Sequence, residues 1–136
     1  MKYFFSVLLL FGFSLLFSQS KKEIIGSVYI DKIGSVCEET SNSKSCGGYE
    51  IFVELIFKKE NVLIKEKGVD SCNKLRYQTN YLTSWTFRKP DKIIIKDFTV
   101  NSEETINNYV LLLEQNSLIG KPINDFSQEL IFEIKQ

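Results

Sequence analysis

The stretch Leu75-Arg-Tyr-Gln-Thr-Asn-Tyr-Leu-Thr-Ser-Trp-Thr-Phe-Arg88 decides the fold. Leu75, Tyr77, Thr79, Tyr81, Thr83, Trp85 and Phe87 fall on one face. Arg76, Gln78, Asn80, Leu82, Ser84, Thr86 and Arg88 fall on the other, and only Leu82 breaks the pattern. Side chains that alternate with period two belong to a half-buried strand. Fourteen residues at roughly 3.3 Å each would span about 46 Å. That is long for a small domain, so the reading predicts a bend, or two strands meeting, near Thr79-Asn80.

Working outward, the same period recurs. Tyr49 to Phe57 places Ile51, Val53, Leu55 and Phe57 on one face, with Glu50 and Glu54 on the other. The polar break Lys58-Lys59-Glu60-Asn61 leads into Val62 to Lys67, which makes a hairpin with Leu55 facing Ile64. Lys89-Pro90-Asp91-Lys92 is a turn with proline preset at its second position. Ile93-Ile94-Ile95, Tyr109 to Leu113, Leu118-Ile119-Gly120 and Gln128 to Ile134 follow as strands. Ile24 to Ile30 opens the series, and one helical turn is expected at 102–106 after Asn101. The expected fold is all-β: an antiparallel up-and-down meander of about eight strands closing into a small barrel. An open sandwich is the alternative.

The N-terminus does not belong to that pattern. Met1-Lys2 carries a positive charge, Tyr3 to Phe17 is almost wholly apolar, and Ser18-Gln19-Ser20 precedes Lys21-Lys22-Glu23. This is the three-part layout of a secretory signal peptide. Cleavage is expected after Ser18 or after Ser20. The domains are therefore a signal peptide, 1–18, and a β-domain, 21–136. The apolar run is short of the roughly 20 residues that span a bilayer. The expected location is exported, periplasmic or secreted, with no integral membrane segment after cleavage.

Composition removes several classes of function. The chain has 136 residues, 17 basic and 17 acidic, and no His. Without His there is no Ser-His-Asp triad, no Cys-His dyad and no His-ligated metal. Removal of the signal takes Lys2 and leaves a charge of about −1, with no long run of one sign. Nucleic-acid binding thus lacks its electrostatic footprint. The pairs Glu38-Glu39 and Glu103-Glu104 fall in loops. Neighbours in extended chain point apart, so they read as solvated charge and not as a converging acid and base. Gly47-Gly48 reads as a loop hinge. The expectation is a protein that is not an enzyme and holds neither cofactor nor metal.

Three cysteines, Cys37, Cys46 and Cys72, lie in the exported part, where a disulfide is the default. The meander puts all three at one end of the sheet. Extending the 49–57/62–67 register brings Cys46 within one position of the partner of Cys72, which favours Cys46–Cys72. Cys37–Cys72 and Cys37–Cys46 are the alternatives. Such a bridge contributes on the order of 3 kcal/mol.

Taken together, the signal peptide, Gly26-Ser27-Val28-Tyr29, a Cys before the second strand and another after the third form a pattern. It continues through Thr83-Ser84-Trp85-Thr86-Phe87, the Pro90-Asp91 turn and Ile93-Ile94-Ile95. This pattern resembles the small lipocalin-like proteins exported by bacteria, within the calycin β-barrels. The resemblance covers nearly all of the mature chain and carries no catalytic motif. The family often opens with Gly-x-Trp, whereas here Tyr29 stands three positions after Gly26. The resemblance implies an eight-stranded barrel and, at most, a small hydrophobic molecule bound inside it. A second resemblance, to META-type β-domains, rests on Cys72-Asn73 and implies an envelope-associated structural or protein-interaction domain with a packed interior. Tyr77, Tyr81, Thr83, Trp85 and Phe87 are the candidate ligand-binding residues, as a wall of the barrel mouth. Core packing is the competing role for the same face.

Overall fold

The computed structural model describes residues 21–38, 47–98, 109–123 and 129–136. A short helix α1 (Lys21–Ile24) precedes eight strands. These are β1 (Val28–Val36), β2 (Tyr49–Phe57), β3 (Asn61–Asp70), β4 (Leu75–Arg88), β5 (Lys92–Ile95), β6 (Tyr109–Glu114), β7 (Ser117–Pro122) and β8 (Leu130–Ile134). Each strand pairs antiparallel with the next, and β8 returns to β1, so the meander closes into a barrel. This is the all-β architecture expected from the alternation. The open sandwich is excluded.

The inward residues are those the period-two pattern selects. Val53, Leu55 and Phe57 on β2, Val62 and Ile64 on β3, and Trp85 on β4 are buried. Ile93, Leu111, Leu113, Leu118 and Phe132 complete the wall on the far side. Leu55 lies opposite Ile64, as the hairpin reading requires. Full burial of side chains of this size is worth about 1.5–3 kcal/mol each, so this set is the main term holding the barrel shut.

Two local expectations are corrected. Ile24 does not start a strand. It ends α1, and Gly26 follows at φ +90°, a left-handed conformation that suits glycine after a helix. The Gly26 N–H donates to the Phe57 carbonyl at 2.8 Å, and the fully buried Ile24 covers that end of the core. Nor does β4 break at Thr79-Asn80: its register against β3 is continuous from Tyr77 to Ser84. The extra twist that a long strand needs is taken up by a bulge where Gly68 and Val69 face Leu75–Tyr77, and by a second on β1 between Lys32 and Gly34. The turn expected at 102–106 lies outside the described residues.

The two ends of the barrel differ. At one end the connections are tight. Lys58 N–H donates to the Asn61 carbonyl at 2.8 Å between β2 and β3, residues 89–91 join β4 to β5, and Gln115-Asn116 join β6 to β7. At the other end three of the four connections are long: 37–48, 96–108 and 123–129. The tight end is the closed one, and the long connections join strands at the open one.

Candidate functional site at the open end of the barrel

The open rim is organised by Asp70. This residue ends β3, is buried, and its Oδ1 accepts the backbone N–H groups of Cys72 and Lys74, each at 2.9 Å. Arg76 Nε lies 3.1 Å from Oδ2. The Lys74 N–H bond, chiefly, holds the Asp70 carboxyl below the usual carboxylate range. Burial acts against it, and the Cys72 N–H and Arg76 reinforce it. Asn73 takes φ +60° in this turn. The β3–β4 turn is thus fixed by one side chain, and it carries Cys72.

Below the rim, two tyrosines share the space over a glycine. Ile51, Gly68 and Tyr77 lie side by side across β2, β3 and β4. The Tyr49 and Tyr77 rings meet edge to face, with centroids 5.7 Å apart. Gly68 is buried, and its missing side chain is the room the Tyr77 ring occupies. The Tyr77 hydroxyl donates to Glu66 Oε1 at 3.0 Å. Glu66 sits in the same inward phase as Val62 and Ile64, and lies between Val53 and Thr79 in register. Asp31 falls in that same row, opposite Val53. Its Oδ2 accepts the Ile131 N–H at 3.1 Å, and burial raises its pKa.

The five residues proposed from sequence share one face of β4 but not one depth. Trp85 is 3 % exposed and fills the core near the closed end. Its ring meets Phe57 with centroids 4.9 Å apart, its Nε1–H donates to the Lys58 carbonyl at 2.8 Å, and Lys21 Nζ lies 5.0 Å over its face. Phe87 packs half-buried against the same core. Thr83 donates its hydroxyl to the Lys96 carbonyl at 2.9 Å, so it does not need a ligand to satisfy it. Tyr77 and Tyr81 lie towards the open end, Tyr81 being 38 % exposed. Tyr77, Tyr81 and Thr83 therefore belong to the upper interior, and Trp85 with Phe87 to the packed base.

A cleft of about 560 Å³ opens on the rim, between the ends of β1, β2 and β3. Val36, Cys37, Gly48, Tyr49, Asp70 and Ser71 are among the residues that line it. Cys37 is an exposed free thiol, which removes Cys37–Cys72 and Cys37–Cys46 as pairings. Cys72 is not a free thiol, and Cys46 lies outside the described residues. Of the acidic pairs, Glu38 lines the cleft, whereas Glu39, Glu103 and Glu104 also lie outside them. Among the described residues, no group of three His, Cys, Asp or Glu is placed to hold a metal, and no helix is long and apolar enough to cross a membrane.

Sequence reasoning passed over Tyr49, Glu66 and Asp70. The signal for the last two was present: both lie two-residue steps on from Val62 and Ile64, so the alternation itself turns them inward. Comparison with protein families, with characterised proteins and with solved structures finds no match to this chain. The fold places it among eight-stranded antiparallel barrels, and the candidate site is the open end of one.

Proposed function

We propose that this is an exported, lipocalin-like binding protein that takes a small hydrophobic molecule at the open end of its barrel. The observation that carries the reading is the asymmetry of the interior. One end is filled by Trp85, Phe57 and Ile24 and closed by tight turns. The other has inward-facing Tyr77 and Tyr81, which remain partly exposed, and Tyr49, which lines a rim cleft of about 560 Å³ together with the polar Glu38, Glu50, Asp70 and Asn73, within the size range of ligand sites, roughly 300–1,000 Å³. The protein acts by binding and not by catalysis. Residues 1–18 serve as its signal peptide, and Cys46 is the disulfide partner of Cys72.

Uptake of a neutral fluorescent probe such as Nile red, together with mass spectrometry of organic extracts of the purified protein, tests the reading. Saturable uptake weakened by Tyr81→Ala is the expected result. Protein that takes up no probe and retains no extractable molecule refutes it. The dense packing around Trp85 favours a second reading, a META-like structural or protein-interaction domain, which predicts that null result.

A further inference from the structure

β4 has 14 residues and β5 only four. Trp85–Arg88 pairs with β5. Leu75–Ser84 pairs with β3 on one side and, among the described residues, with no strand on the other. Two bonds show which backbone groups face the open side. The Ser84 carbonyl accepts the Lys96 N–H at 3.0 Å on the β5 side, while the Trp85 N–H is directed at the Glu60 carbonyl on the β3 side. Successive residues of a strand direct these groups alternately, and the register is unbroken from Tyr77 to Ser84. The N–H and C=O groups of Gln78, Asn80 and Leu82 therefore point away from β3.

A free edge is a template for another strand. Proteins ordinarily guard such edges with charge, proline or a bulge. Tyr77-Gln-Thr-Asn-Tyr-Leu-Thr-Ser84 contains no charged residue, no Pro and no Gly. Its Leu82 is 56 % exposed. We propose that this edge is a self-association site, at which a second copy of the chain adds its own β4 antiparallel to the first.

The edge is complementary to itself. A two-fold axis at Asn80 pairs Asn80 with its counterpart and Gln78 with Leu82 of the other copy. All of these groups lie in the outward phase, and each mutual pair exchanges two bonds. No like charges meet. Arg76 falls opposite Ser84, whose carbonyl is already taken by Lys96, and that ends the ladder. On the outer face Gln78 Nε2 donates to Asn80 Oδ1 at 3.1 Å. Each Leu82 would cover that pair on the other copy. This association is independent of what the barrel interior binds.

Sedimentation over a concentration series, with amide exchange read by NMR, tests the proposal. The expected result is a mass that rises from monomer towards dimer. The outward amides of Gln78, Asn80 and Leu82 should slow by about tenfold well above the dissociation constant. The double variant Gln78→Lys/Leu82→Lys, which sets Lys against Lys across the axis, should stay monomeric, with a thermal midpoint equal to that of the wild type at concentrations where the wild type is itself monomeric. Asn80→Pro, which removes an outward N–H together with the side-chain acceptor of Gln78, should weaken the dimer as well. A wild-type protein that stays monomeric overturns the proposal, whether its outward amides exchange fast or are already slow. So does a dimer that survives the double Lys variant.

Discussion

Gly68→Ala should destabilise the protein, although alanine is normally the better residue in extended chain. Gly68 does not have a positive φ, so its backbone would accept alanine. Restricting the unfolded chain would then stabilise by about 0.4–1 kcal/mol. The cost comes from the rings. A Cβ built on Gly68 lies 2.7 Å from Tyr77 Cδ1, closer still to Cε1, and 2.9 Å from Tyr49 Cδ2. Carbon atoms rest at about 3.5–4.0 Å, so both rings must withdraw by roughly 1 Å. Tyr77 cannot do so freely, because its hydroxyl is held by Glu66 at 3.0 Å and its ring by the edge of Tyr49. Overpacking of this kind costs about 1–3 kcal/mol. The edge-to-face pair is worth about 0.5–1.5 kcal/mol beyond its burial. After the backbone gain, a net loss of about 1–2 kcal/mol remains. For a domain of this size that is about 3–10 °C in Tm. Urea and thermal unfolding of Gly68→Ala, alone and combined with Tyr77→Ala, measure it. In the Tyr77→Ala background most of the cost should go, leaving only the smaller withdrawal of Tyr49 from its 2.9 Å contact. If Gly68→Ala is neutral or stabilising alone, or costs the same in both backgrounds, the reasoning is wrong.

Four further outcomes follow from the same geometry. Glu54 is buried on the outer face, which pushes its pKa up, but Lys67 at 2.7 Å and Lys135 at 3.1 Å more than reverse that. Its folded pKa is below the unfolded value, so its stabilisation is present above about pH 4.3 and lost as pH falls through the folded pKa. Glu54→Gln should flatten that acid limb in urea titrations. Asp31 is the opposite case: burial raises its folded pKa, so wild-type stability falls as pH rises past the unfolded value. Asp31→Asn should match wild type at pH 3 and exceed it at pH 7. Trp85→Phe strands the Lys58 carbonyl and should cost about 1–3 kcal/mol, while acrylamide should quench wild-type Trp85 only weakly. Native protein should show one thiol to Ellman's reagent. Cys37→Ser should leave Tm unchanged, and Cys72→Ser should cost about 3 kcal/mol.

The fold was readable because an antiparallel barrel writes its inside and outside onto alternate residues. Leu55 and Ile64 could be paired from the hairpin alone. The misread start has a specific cause: Ile24-Ile25 looks like strand by residue type, but the burial of Ile24 beneath the barrel and the left-handed Gly26 favour a helical turn. The bend placed at Thr79-Asn80 came from length, whereas the structure spreads the twist over two bulges. For the site, alternation tells which face a residue takes but not how deep it lies. Trp85 and Tyr81 are four residues apart on one face, yet one plugs the base and the other lies half-open near the rim. Depth is set by where each neighbouring strand ends, a non-local property. Glu66 and Asp70 were missed for another reason. Inward carboxylates look like polar outer-face residues unless their phase is counted from Val62.

An even number of strands joined as an up-and-down meander has a consequence for how the molecule can be held. β1 begins, and β8 ends, at the closed end, where Tyr29 faces Ile134. Lys21 over Trp85 and the Lys135 N–H on the Val28 carbonyl keep both flanking segments there. A tether attached at either side of the barrel therefore pulls on the sealed base and leaves the mouth pointing away from its anchor. Immobilised by the C-terminus, the protein would present its open end and cleft to the solution in a single orientation.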